Sequence, residues 1–133
     1  LLYEFTQVLP GVTVAGLDIS AYAIEHAKEE VKPFLRVGNA VSLPWPDKTF
    51  EFVVSLGTLH NLYNYELKRA LREIERVGKH KKHVMMESYR NEREKANLLY
   101  WQLTCRAFHT PQEWEWIFAE SGYTGDYSYI AFE

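Results

Sequence analysis

The order of apolar segments predicts an α/β fold with a mostly parallel sheet and helices on both faces. Two observations carry this expectation. Short runs of strand character (residues 12–17, 34–37, 50–55 and 83–88) alternate with stretches of helical period, and such alternation calls for crossover connections and parallel pairing. The first run, VTVAGL, also ends in Asp18 and is followed at once by a helix start, which sets a carboxylate at the mouth of the sheet.

The elements follow in order. LLYEFTQVL reads as a helix with Leu1, Leu2, Phe5, Val8 and Leu9 on one face, closed by Pro10-Gly11. No N-cap precedes it and the first residue is not Met, so the chain is expected to be cut inside an element. After the strand VTVAGL, Ser20 can cap a helix carrying Ile24, Ala27 and Val31 on one face, with Pro33 at its end. FLRV (34–37) is a short strand, and Pro44 and Pro46 exclude regular structure in the stretch that follows. FEFVVS (50–55) is dense in β-branched and aromatic residues, and a helix over 65–77 should bury Leu67, Ala70, Leu71, Ile74 and Val77. HVMMES (83–88) is a strand, and residues 94–108 are expected to form a helix with Leu98, Trp101, Cys105 and Phe108 on one stripe. The basic run RVGKHKKH (76–83) reads as a solvated turn, with phosphate contact as the rival reading. Thr110, Pro111, Glu113 and Gly122 mark a complete helix from cap to stop, and DYSYIAFE closes the chain as a strand.

With 133 residues, the chain has room for one domain that buries about two-thirds of its unfolded surface. A net charge of −3 disfavours a dedicated nucleic-acid partner. The single Cys105 excludes an internal disulfide framework, and His80 and His83 lack further ligands, so no metal site is expected. No apolar run approaches the ~20 residues of a membrane span, and no signal peptide is visible. The expectation is a cytoplasmic protein with no membrane partner.

Three places could carry chemistry. The Asp18 carboxylate could accept hydrogen bonds from both hydroxyls of a ribose, with Ile19 packing on the base, or it could simply cap the next helix. Asn39, beside Ala40 and just past the strand 34–37, could meet the exocyclic amine of an adenine through its amide oxygen, or could hold an ordinary turn. Ser55, Leu56 and Gly57 should leave backbone groups open over the carboxyl edge of the sheet, where ligands of open α/β sheets bind. His60 lies near that edge, as a packing residue or a proton acceptor. Tyr89 follows the strand 83–88, and the aromatic wall near Trp101 could touch a substrate or cap the core.

As an ordered set, VAGLDIS, VGNAVSLPWPDKTFEFVVSLGTLHNL and HVMMES resemble the class I S-adenosylmethionine-dependent methyltransferases over about residues 1–90. Leu43, Pro44, Pro46, Asp47, Phe50, Val53 and Ser55 match that family's stretch around its fourth strand, with Glu51 where Asp is usual. The resemblance implies a Rossmann-like fold, S-adenosyl-L-methionine as cofactor, and a ribose held by Asp18. It implies Asn39-Ala40 in place of the usual Asp-Ala against the adenine. It also implies that residues 1–133 are one incomplete domain lacking the family's first strand and glycine-rich loop. That strand lies between the second and fourth, so three outcomes are open: direct pairing of its neighbours, a strand lent by a second copy in a homodimer, or marginal folding.

Methyl transfer to an acceptor that remains open is the reaction implied, impaired by the truncation, with His60 and Tyr89 the only candidate catalytic bases. The rivals are a non-catalytic module that folds or dimerises without cofactor, and a nicotinamide-dependent oxidoreductase. The stretch 43–55 and the lack of a Tyr-x-x-x-Lys pair disfavour the oxidoreductase.

Overall fold

The computed structural model describes residues 1–133, which form two compact units, Leu1–Leu43 and Pro44–Glu133. The first holds α1 (Leu2–Val8), β1 (Gly16–Asp18), α2 (Ala21–Glu25), a 3₁₀ turn at Lys32–Phe34 and β2 (Leu35–Val37). β1 and β2 pair in parallel, with Gly16 opposite Leu35 and Asp18 opposite Val37. Ser20 caps α2 as expected, its hydroxyl accepting the Ala23 N–H at 3.1 Å.

Two elements here are shorter than expected. The strand begins at Gly16 rather than Val12, because its only ladder partner, β2, is itself three residues long. The helix after Ser20 ends at Glu25, and turns bonded from Ala27 to Ile24 and from Val31 to Lys28 carry the chain on to a buried Val31. No residue of α1 is buried, so its apolar face is only partly covered.

The second unit contains β3 (Phe50–Leu56), a 3₁₀ turn at Leu59–Asn61, α3 (Asn64–Val77), β4 (Gly78–Glu87), α4 (Glu92–Trp101), α5 (Pro111–Ser121) and β5 (Asp126–Ile130). The three strands form one parallel sheet in the order β3-β4-β5, with Ser55 opposite Val84 and Val84 opposite Tyr127. The two sheets, β1-β2 and β3-β4-β5, belong one to each unit.

α3 buries Leu67, Ala70, Leu71, Ile74 and Val77, the five residues its helical spacing selects. It packs against α5, which buries Trp114, Ile117 and Phe118, and together with Val84, Met86, Leu59 and Leu98 these make the core. The basic run is strand rather than turn. β4 starts at Gly78, directly after α3, and Lys82 lies buried with its ammonium 2.8 Å from Glu75 Oε1. Glu75 also accepts the Thr124 N–H and hydroxyl. Burial raises its pKa, but these donors outweigh burial and hold the carboxyl below its ordinary value.

α4 corrects a second expectation. It stops at Trp101, and Cys105 and Phe108 lie beyond it in an irregular segment. Only Glu94 and Leu98 of α4 are buried, and Trp101 is exposed. No helix is long and apolar enough to cross a membrane.

Candidate functional site

In the first unit, the parallel pairing of β1 with β2 brings two of the predicted places together. The Gly38 N–H donates to the Asp18 carbonyl at 2.9 Å, which ties the turn Gly38-Asn39-Ala40 to the carboxyl end of β1. Asp18 is exposed, and its Oδ1 accepts the Ser20 N–H at 2.9 Å. Ser20 and not Asp18 caps α2. The Asp18 bond closes a local turn ahead of the cap, and it engages one oxygen while the other stays open to solvent. Ile19 is exposed beside it. The Asn39 Oδ1 accepts the Val41 N–H at 3.1 Å, so its turn role is real, with the second lone pair and the amide NH₂ uncommitted. An open carboxylate oxygen, an exposed aliphatic side chain and an amide at the carboxyl edge of two parallel strands suit the adenosine half of a nucleoside cofactor.

The carboxyl edge of the second unit differs from expectation. Gly57 ends β3 at φ +63°, a left-handed conformation that side chains rarely adopt, and its N–H donates to the Met85 carbonyl at 2.9 Å. The Thr58 hydroxyl donates to the Leu56 carbonyl at 3.2 Å, and Ser55 sits in register opposite Val84. Of the groups expected to stand open, the Gly57 N–H and the Leu56 carbonyl are thus engaged.

His60 is buried in the turn Leu59–Asn61, with its Nε2 3.5 Å from Glu87 Oε2. Both its ring nitrogens and that Glu87 oxygen lack a hydrogen-bond partner. Burial holds the imidazole below its ordinary pKa and pushes the Glu87 carboxyl up, against the opposing hydrogen bond that Gln102 Nε2 donates to Glu87 Oε1 at 2.7 Å. Burial, and then the nearby Glu87 charge, push the Cys105 thiol up to about 11, so it is a packing thiol and not a nucleophile. Tyr89 is half-buried, with the Lys95 ammonium 5.3 Å from its ring centroid.

Sequence reasoning missed Glu87 and Gln102. The signal was present for Glu87, an acid closing the apolar run HVMME just as Asp18 closes VTVAGL. Gln102 gave none.

The stretch 44–50 is built around Arg76 of α3. Its guanidinium donates twice to Glu73 at 2.8 Å, to the Trp45 carbonyl at 2.8 Å and to Asp47 Oδ1 at 2.9 Å. The Lys48 N–H then closes on the Arg76 carbonyl at 2.8 Å. Trp45, Asp47 and Lys48 therefore shape the entry to β3, and these contacts are structural. Residues 3–86 match the family model of a methyltransferase domain.

The chain belongs to this family.

Solved structures share the fold. The methyltransferase domain superposes on the PH0226 protein of Pyrococcus horikoshii with a TM-score of 0.52 at 30% identity, covering 60% of this chain and 41% of that one. It superposes on the YcgJ protein of Bacillus subtilis with a TM-score of 0.65, covering 80% and 50%, and at 21% identity that likeness concerns the Rossmann-like fold alone. A demethylmenaquinone methyltransferase of Symbiobacterium thermophilum is 36% identical over 85 residues, covering 59% of this chain and 33% of that protein. Its counterpart from Anoxybacillus flavithermus is 40% identical over 76 residues, covering 53% and 31%. The chain thus spans about a third of the length of the curated relatives it matches.

Proposed function

We propose that the chain takes part in methyl transfer from S-adenosyl-L-methionine, and that its first unit holds the adenosine half of that cofactor. The observation that carries this reading is the exposed Asp18 at the carboxyl end of β1, one oxygen engaged by Ser20 and the other open. Asp18 would accept from a ribose hydroxyl, Ile19 would cover one face of the adenine, and Asn39 would offer its remaining lone pair to the exocyclic amine. When bound, the cofactor supplies a methyl group already activated on a sulfonium. The protein's task is then to hold the acceptor in line with that methyl and keep water out, which can supply much of the rate. Any proton on the acceptor would leave to solvent or to a base of this chain. As the folded chain stands, His60 is too deeply buried to meet an acceptor, and Tyr89 is the more accessible of the two candidates. Demethylmenaquinone, which the relatives' names give as their substrate, is the first acceptor to assay.

Calorimetric titration of S-adenosylhomocysteine into this chain tests the reading, with Asp18→Ala beside it and NAD as the rival ligand. Binding that Asp18→Ala weakens about tenfold or more, as loss of a hydrogen bond to a charged group should, supports it. Equal binding by both proteins, no binding, or a preference for NAD overturns it.

A further inference from the structure

We propose that the end of α4 and the segment after it form a docking surface for an anionic lipid bilayer. Three large apolar side chains stand in solvent within four residues: Tyr100 is 82% exposed, Trp101 69% and Leu103 91%. Leu99 joins them on the last turn of α4.

This is not a loose end. The Gln102 N–H donates to the Leu98 carbonyl and its side chain to Glu87, while Thr104 Oγ1 donates to Asn61 Oδ1 at 3.0 Å. The N–H groups of Arg106 and Ala107 both donate to the His60 carbonyl, at 2.8 and 3.0 Å. Polar groups thus anchor the segment while its largest apolar side chains are held outward, the reverse of what a segment packing for stability would do. Tyr63 and Tyr65 extend the patch. Their rings stack at 5.6 Å, and the Arg106 guanidinium lies 4.5 Å from the Tyr63 centroid.

Charge selects the occupant. From Lys95 to Gln112 there is no acidic residue, in a chain whose net charge is −3. Lys95 and Arg106 fall inside that window, and the exposed Arg93 lies one and two turns before Ala96 and Tyr100 on the same helical stripe. Trp and Tyr, each with an apolar body and a polar tip, beside leucines and cations make the composition of a membrane interface. The acids beside them are Glu92, next to Arg93, and Glu66, which accepts the Tyr63 N–H. A second copy fits less well, because a two-fold contact would set this cationic patch against itself. The contact lies on the surface, so the lack of a membrane-spanning helix does not bear on it.

The experiment is sedimentation of the intact chain with vesicles of phosphatidylcholine alone and of phosphatidylcholine with phosphatidylglycerol, followed also by tryptophan emission. Binding to the anionic vesicles should be stronger by about tenfold or more and should fall at high salt, as two or three surface cations imply. The exposed double substitution Trp101→Ser with Leu103→Ser should abolish it, with the circular dichroism unchanged. Trp116→Ser, on the acidic α5, should leave it intact. No binding to anionic vesicles, or equal binding by the double variant, overturns the proposal. So does a dimer in sedimentation velocity that the double variant abolishes without any vesicle binding, since the patch would then serve self-association. Vesicle binding is read without cofactor, so it stands or falls separately from the adenosine reading.

Discussion

Glu87 and His60 show how one side chain can couple stability to pH. Burial pushes the Glu87 carboxyl up, so between its unfolded and folded pKa values the folded protein holds the proton that the unfolded chain has released. Its contribution is therefore lost as pH rises above 4.5, the ordinary value. Glu87→Gln keeps an oxygen for Gln102 and removes the charge, and it should stabilise the protein at neutral pH by about 1–3 kcal/mol, the cost of an unmet buried polar group. Urea melts of both proteins at pH 4 and pH 7 check this: the gain should be present at pH 7 and shrink towards pH 4. For His60 the sign is opposite, since burial lowers its pKa and stability is lost as pH falls below 6.5. The sequence marked His60 as a packing residue or a base, but it could not reveal an acid 27 positions away as its neighbour. The place of Asp18 was readable because it is local, at the end of its own strand and two residues from the Ser20 N–H that it accepts.

Elements set by local chemistry were readable in the sequence, and those set by distant partners were not. α5 is the clearest local case. Thr110 Oγ1 accepts the Glu113 N–H at 3.3 Å, and Glu113 Oε2 accepts the Thr110 N–H at 2.7 Å. Gly122 ends the helix at φ +70°. Thr110→Ala should cost about 1 kcal/mol in a thermal or urea melt. Hydrogen bonding to the Thr110 backbone holds the Glu113 carboxyl below its ordinary value, so the cap's contribution is present above pH 4.5 and lost as pH falls below it. Thr110→Ala keeps that backbone bond, and of the bonds to the carboxylate it loses only the one that the Thr110 hydroxyl donates to Glu113 Oε2 at 3.1 Å. The stability gap to wild type should therefore narrow only slightly in acid. β4 and α4 are the opposite cases. KHKKH looks like a turn until β3 and Glu75 supply a ladder and a partner for Lys82. The helical period past Trp101 is overruled because the N–H groups of Arg106 and Ala107 find the His60 carbonyl, a bond spanning more than 40 residues.

The two units of the chain differ sharply in what they bury. Of the apolar side chains that leave solvent almost completely, Val31 alone belongs to Leu1–Leu43, and the rest lie in Pro44–Glu133. Local opening is cheap where few apolar contacts are lost, so backbone amides of β1 and β2 should exchange with solvent far faster than those of β4. Hydrogen exchange read by mass spectrometry should show peptides over 16–18 and 35–37 labelled early, and peptides over 84–87 protected until global unfolding. Leu71→Ala, at a fully buried position of α3, should cost about 2–5 kcal/mol and lower protection across 50–87. Early labelling of 16–18 should be unchanged by that substitution. Saturating S-adenosylhomocysteine should instead slow exchange in the first unit, because ligand that binds only the folded form opposes opening. Equal protection of the two units without ligand would contradict the burial argument, and protection of the second unit alone on adding ligand would place the adenosine elsewhere than on Asp18.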